Sequence, residues 1–211
     1  MTRRPLLPLS DYQRIYQVIY SVLEATGIVT THRACLFFST AVVTILRKHY
    51  GLPATFSAGT LALMVDEKKA NVAVYGRQED GEWVYDTNGF HAWVECNGWL
   101  VDFMAPIMGV ALKEDGINFD VPRNMLQKPL ADRKHDLREI QRVGDFYCYS
   151  DKAQAESLID SQQLEFMDLL NACETWFRKP PKALPSIALG GTDVQAPKPL
   201  VLKAPSIGGV W

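Results

Sequence analysis

The stretch His91-Ala-Trp-Val-Glu-Cys-Asn-Gly-Trp-Leu-Val-Asp102 decides the fold, since apolar and polar residues alternate on both sides of Asn97-Gly98. Both residues of a two-residue hairpin turn need a positive φ, which Asn and Gly tolerate. The stretch therefore predicts an antiparallel hairpin in which Cys96 faces Trp99 and Trp93 faces Asp102.

This register places His91 and Asp102 on one face of the hairpin, because side chains alternate between faces along a strand. The two residues are diagonal neighbours, with backbones ~7–8 Å apart. An imidazole and a carboxylate span that distance, so the hairpin predicts an Asp–His pair. Asp86 and Asp120 remain alternatives to Asp102, and Glu95, nearer the turn, is expected to be a solvated carboxylate.

A single cysteine precedes the hairpin near the start of a second element. Residues 34–50 are apolar nearly all round and end at Gly51, which predicts a buried helix with Cys35 at its beginning, after the cap candidates Thr30 and Thr31. The positive end of the helix, with His32 and Arg33 beside it, favours the nucleophilic thiolate. The alternative interpretation is a buried structural thiol.

A thiolate needs a partner that holds and returns its proton, and an imidazole fixed by a carboxylate is such a partner. Backbone N–H groups at the start of the helix could bind a developing oxyanion. The residues therefore predict a catalytic set of Cys35, His91 and Asp102.

The motifs in this order resemble the transglutaminase-like branch of the papain-like superfamily: a helix-start Cys35, Gly-Leu-Pro-Ala at 51–54, His-Ala-Trp-Val-Glu at 91–95 and Gly-Trp-Leu-Val-Asp at 98–102. The resemblance covers residues 30–106. It implies an α+β, papain-like fold in which the catalytic-Cys helix packs on an antiparallel sheet. It also implies a Cys–His–Asp triad.

The function implied is that of a thiol hydrolase, a peptidase or amidase that works through a thioester acyl-enzyme on an unidentified peptide, amide or ester. An acyltransferase or transglutaminase of the same fold is the alternative, and a catalytically inactive binding scaffold is another. None of these requires a cofactor.

Three further residues are candidates for the oxyanion site or its rim: His32, Asn88 and Trp93. His32 either donates to the oxyanion or caps the helix, Asn88 either shapes the rim or forms an ordinary turn, and Trp93 is expected mainly to pack. No metal site is expected, because Cys96 lies on the face opposite His91 and no His-x-x-x-His or carboxylate cluster appears.

The chain is expected to form one catalytic domain over residues 1–179, followed by a proline-rich extended arm over 180–211. Six of the 12 prolines fall in the arm. The arm is expected to lie along its own domain or along a neighbouring subunit, and the second case predicts a homodimer. Other expected elements are a helix from Ser10 to Gly27, strands at 54–65, 71–76 and 143–149, and helices at 132–142 and 151–178.

Composition narrows the class of protein. A net charge of −2 and a pI near 6.1 argue against a dedicated nucleic-acid binder, which usually carries a basic face. Apolar runs are too short for a membrane span, which needs about 18 residues. Four scattered cysteines without a signal-peptide pattern predict reduced thiols and a cytoplasmic location.

Overall fold

The computed structural model describes residues 4–27, 29–75, 77–79, 82–84, 89–160, 164–190 and 196–211. Five α-helices lie in these ranges: α1 (Leu9–Thr26), α2 (Cys35–Tyr50), α3 (Met108–Glu114), α4 (Lys152–Asp160) and α5 (Leu164–Trp176). Short 3-10 turns occupy Thr31–Arg33, Ala105–Ile107, Leu130–Asp132 and Leu137–Glu139. None of the helices in the described ranges is long and apolar enough to cross a bilayer.

The strands are β1 (Thr55–Asp66), β2 (Asn71–Tyr75), β3 (Arg77–Glu79), β4 (Glu82–Val84), β5 (His91–Cys96), β6 (Trp99–Asp102), β7 (Asn124–Pro129), β8 (Phe146–Ser150), β9 (Ala188–Leu189), β10 (Lys198–Pro199) and β11 (Gly209–Val210). The main sheet has the order β11-β7-β6-β5-β1-β2, with β8 also paired to β1. Its pairings are antiparallel except for that of β11 with β7. The α+β class predicted from the sequence is confirmed.

The predicted hairpin forms in the predicted register. Asn97 and Gly98 adopt φ of 50° and 75°, as a two-residue turn with both residues left-handed requires. Cys96 pairs with Trp99 and Val94 with Val101. Since the turn chemistry is local, these few residues suffice to place His91 and Asp102 on one face.

Helices α1, α2 and α5 cover one face of the hairpin, and α3 covers the other face. Val94 and Val101 belong to a core cluster that contains the buried residues of α1, α2 and α5. Trp93 and Leu100 belong to a second cluster, which includes Met108 of α3. The helix α2 thus packs on the antiparallel sheet, and its C-terminus is closed by the expected glycine, Gly51, at φ 65°.

The C-terminal arm, residues 180–211 without the undescribed 191–195, lies along its own domain. Leu200 and Ile207 are buried in the helical core cluster. The backbone N–H of Lys203 donates to Ser21 of α1, and β11 extends the sheet by pairing with β7. These contacts account for the ordered arm within one chain, and the homodimer stays a prediction.

One helix prediction is wrong. Residues 132–142 form no α-helix, because Asp136 and Asp145 accept hydrogen bonds from nearby backbone N–H groups and hold short turns instead. The segment also lacks an apolar stripe that packing could stabilise. The helix predicted at 151–178 corresponds to α4 and α5, and residues 161–163 between them lie outside the described residues.

Candidate active site

Strand pairing around β1 sets the position of the site. Gly59 pairs with His91 of β5 on one edge and with Ser150 of β8 on the other. Leu61 likewise pairs with Tyr75 of β2 and with a β8 residue on its opposite edge. At both Gly59 and Leu61, β8 pairs with the same edge of β1. The opposite edge of β1 therefore pairs first with β5 and then with β2. Tyr75 and His91 are therefore neighbours on one face of the sheet.

Gly59 is the junction of these three strands. Its φ of 153° is one that residues with a Cβ rarely adopt, and a Cβ there would lie 2.0 Å from the carbonyl oxygen of Tyr149. Only glycine therefore lets β8 approach β1 at the level of His91.

The Asp–His pair predicted from the hairpin register is present. Nε2 of His91 lies 2.9 Å from Oδ2 of Asp102, and both residues are almost fully buried. The other carboxylate oxygen accepts the backbone N–H of Met104 at 2.8 Å. The hydroxyl of Tyr12 donates to the Asp102 carbonyl oxygen. Asp102 is thus held by three neighbours, and it fixes the position of the imidazole.

Cys35 meets this pair from the first position of α2, where its side chain is partly exposed. Burial alone lowers the pKa of His91. The charge of Asp102, its hydrogen bond, and a hydrogen bond to Cys35 with the charge on that sulfur together raise the pKa to about 10. Because Nε2 faces Asp102, the nitrogen left for Cys35 is Nδ1. His91 therefore interacts with Asp102 through Nε2 and with the Cys35 sulfur as well.

The turn before Cys35 is anchored to the end of α3. Nε2 of His32 lies 2.7 Å from a carboxylate oxygen of Glu114, and Arg33 donates to Asp115 at 2.6 Å. Neither of the two roles expected for His32 corresponds to this contact. The cap position of α2 belongs to Ala34, which makes no side-chain cap, so Thr30 and Thr31 do not serve as caps there.

The remaining sequence candidates have different positions. Trp93 is fully buried, and its indole N–H donates to the half-buried carboxylate of Glu95 at 3.2 Å. Asn88 and Asp86 lie outside the described residues. Asp120 forms an exposed ion pair with Lys113. Asp102 is therefore the carboxylate that contacts His91 among those the structure describes.

Sequence reasoning missed Tyr75 and Tyr12. The ring of Tyr75 stacks on His91 with centroids 4.1 Å apart and planes 14° apart. The approach depends on β2 and β5 sharing β1 as a partner, and a register shift between Met64 and Asp66 hides the pairing from a simple hairpin count. Tyr12 comes from α1, and its position in the helix gives no local signal of a contact with Asp102.

Apolar residues surround the thiol on the helical side. Cys35 packs against a cluster that contains Ala58, Ala92 and Ala155. A groove of about 640 Å³ borders this cluster, since Ala58 and Ala155 also line it. Cys35, His91 and Asp102 themselves do not line the groove. Within the described ranges, no group of three His, Cys, Asp or Glu side chains is arranged to hold a metal ion.

Comparison with known proteins gives a family and a structural relative. No curated protein matches the chain. A solved structure, "The crystal structure of genomics APC5867", is similar over 99% of this chain and 98% of its own, with 29% sequence identity and a TM-score of 0.83. The family model described as "Protein of unknown function (DUF2026)" matches residues 8–211. Because that match spans nearly the whole chain, the protein belongs to the DUF2026 family.

Proposed function

We propose that the protein is a thiol enzyme of the papain and transglutaminase type, with Cys35 as nucleophile. The observation that carries the proposal is the buried His91–Asp102 pair, whose imidazole also interacts with the partly exposed Cys35. Structural thiols do not need a buried imidazole with a carboxylate behind it, whereas a nucleophile does. The helix α2 packed on an antiparallel sheet, with its first residue at the imidazole, supports a papain-like fold.

In this proposal the Cys35 sulfur, as thiolate, attacks the carbonyl carbon of an amide or ester, and a new carbon–sulfur bond forms. The proton held on Nδ1 of His91 passes to the leaving amine or alcohol as its bond to the carbonyl carbon breaks. Asp102 holds the imidazole in the orientation that this transfer needs. In the same proposal, backbone N–H groups at the start of α2 receive the negative charge that develops on the carbonyl oxygen.

Water then attacks the thioester while His91 accepts its proton, and breaking of the carbon–sulfur bond releases the acid and restores the thiolate beside protonated His91. The reaction is balanced by the substrate and water alone and needs no cofactor. Transfer to an amine is the second candidate, because the apolar cluster beside Cys35 would shelter a thioester from water. The groove that shares Ala58 and Ala155 with this cluster is the proposed route of approach for the acyl group.

Acyl-enzyme trapping tests this proposal. The protein is mixed with p-nitrophenyl acetate, quenched in acid, digested and analysed by mass spectrometry. We expect acetylation of Cys35, loss of the adduct in Cys35→Ala, and an unchanged adduct in Cys148→Ala, which removes a buried thiol elsewhere in the sheet. Release of p-nitrophenol that is equal in wild type and Cys35→Ala, with no adduct on Cys35, would favour the inactive scaffold.

The same intermediate separates the two candidate activities. Acyl-enzyme that decays to acetate in the presence of a primary amine indicates a hydrolase. Acyl-enzyme that decays mainly to the acetylated amine indicates a transferase. The partition ratio decides between them without knowledge of the natural substrate.

A further inference from the structure

The imidazole of His91 lies between two aromatic rings on one face of the sheet. Tyr75 is stacked at 4.1 Å with planes 14° apart, and Trp93 lies on the other side at 6.4 Å with planes 25° apart. The three residues pair with Leu61, Gly59 and Ser57 of β1, which are every second residue along that strand. The stack is therefore set by the backbone register of the sheet.

A hydrogen bond to Asp102 fixes the location of Nε2 but leaves the plane of the ring open, because rotation about χ2 of histidine is soft. A ring packed face to face removes that freedom, since any large rotation of the imidazole would drive its edge into the neighbour. Tyr75 is the closer and more nearly parallel of the two neighbours. Its contact determines where Nδ1 of His91 is directed.

We propose that Tyr75 is a positioning residue for His91: its ring holds the imidazole plane so that Nδ1 faces the Cys35 sulfur, and it favours the imidazolium form through its π-face. This inference rests on the proposed thiol chemistry. The aromatic ring carries the role, and the hydroxyl does not.

The electrostatics of Tyr75 agree with a neutral ring. Burial raises the pKa of its hydroxyl well above the ordinary value, and the charges of Asp102 and Cys35 raise it further. The phenol therefore stays protonated wherever His91 is charged, and no second anion competes with Asp102 for the imidazolium. An electron-rich, uncharged ring against a cation is a stabilising arrangement.

The chain topology adds a second reason why this position matters. β2 ends at Tyr75 and β5 begins at His91, and both strands pair with β1. The stacked pair therefore spans the gap between these two strand ends. A contact at that gap keeps the two strand ends in line.

The test compares the pH profile of Cys35 alkylation by iodoacetamide, read from the Cys35 peptide by mass spectrometry, in three variants. Tyr75→Phe keeps the stack, Tyr75→Leu removes it, and Tyr16→Leu removes a buried tyrosine that packs on Phe38 in the helical core, away from His91. We expect Tyr75→Phe to stay within about 2-fold of wild type at pH near 6, and Tyr75→Leu to fall at least about 5-fold. The difference should shrink as the pH is raised, and Tyr16→Leu should keep the wild-type profile.

A wild-type profile in Tyr75→Leu would overturn the positioning role. If the leucine variant does not fold, Tyr75→Met fills the space with a flexible chain and is expected to give the same acid-side loss. Failure of the proposed function looks different: wild type and His91→Ala would then alkylate at equal rates near pH 6. In that case ring-labelled histidine NMR still tests the contact, since Tyr75→Leu should lower the titration midpoint of His91 and Tyr16→Leu should not.

Discussion

Two buried polar pairs lie on neighbouring strands of the sheet, and they differ in whether their groups can ionise. Gln127 of β7 exchanges two hydrogen bonds with the backbone of Leu7, at 2.9 and 2.7 Å, and so satisfies its amide with neutral partners. His91 and Asp102 are both ionisable, and the imidazole of His91 also interacts with Cys35. A complete neutral pair fastens a segment, whereas an ionisable pair with a thiol attached can move a proton.

Among substitutions in the two pairs, we expect the largest effect at Asp102. Replacing it with asparagine keeps the shape but removes the charge that supports an imidazolium, so we expect acyl-enzyme formation at Cys35 to slow by about 100-fold. The measurement is the pre-steady-state rate of p-nitrophenol release at neutral pH. The control is Gln127→Met, which removes the neutral pair without adding a charge.

The ionisable pair also makes stability depend on pH. The pKa of His91 is raised from 6.5 to about 10, because the charges of Asp102 and Cys35 outweigh burial. The folded state therefore binds the proton more tightly than the unfolded state. The resulting stabilisation is fully present below pH 6.5 and is lost as the pH rises through about 10.

The size of this effect is on the order of a few kcal/mol. Urea unfolding of wild type and Asp102→Asn at several pH values isolates it as the difference between the two proteins. We expect the difference in unfolding free energy to be largest near pH 6 and to shrink toward pH 10. A difference that stays constant or grows with pH would show that His91 is not protonated in the folded protein.

The neutral pair should behave in the opposite way. Gln127→Met conserves volume but leaves the N–H and C=O of Leu7 without their partners, which should cost about 2 kcal/mol of unfolding free energy. That loss should not change between pH 6 and 10, and the rate of acyl-enzyme formation should stay within about 2-fold of wild type. A large loss of activity in this variant would mean that the two pairs are coupled.

The sequence predicts the parts of the site that depend on local chemistry. Asn97-Gly98 fixes the hairpin register, and that register alone brings His91 and Asp102 to one face. The start of α2 at Cys35 follows from the apolar run and from Gly51 at its end. These features need only neighbours in the chain, so propensity and alternation are enough to find them.

Parts that depend on distant partners were not predicted. Tyr75 reaches His91 only because β2 and β5 both pair with β1, and β7, which carries Gln127, was not foreseen as a strand. The charge pattern of residues 132–142 predicts a helix, but side-chain hydrogen bonds of Asp136 and Asp145 to nearby backbone N–H groups stabilise short turns instead. The first two features depend on tertiary context, whereas the third depends on local hydrogen bonds that helix propensity does not capture.

The central claim is that His91 and Asp102 activate Cys35, and one rate tests it most directly. The four thiols differ in environment, since burial raises the pKa of Cys148 to about 11 and also raises the pKa of Cys96 and Cys173. In native protein at pH near 6, with iodoacetamide and peptide mass spectrometry, we expect Cys35 to alkylate at least about 10-fold faster than the other three. His91→Ala should abolish that advantage. An advantage that survives in His91→Ala would mean that exposure alone explains it, and equal, slow alkylation of all four cysteines in wild type would contradict the account.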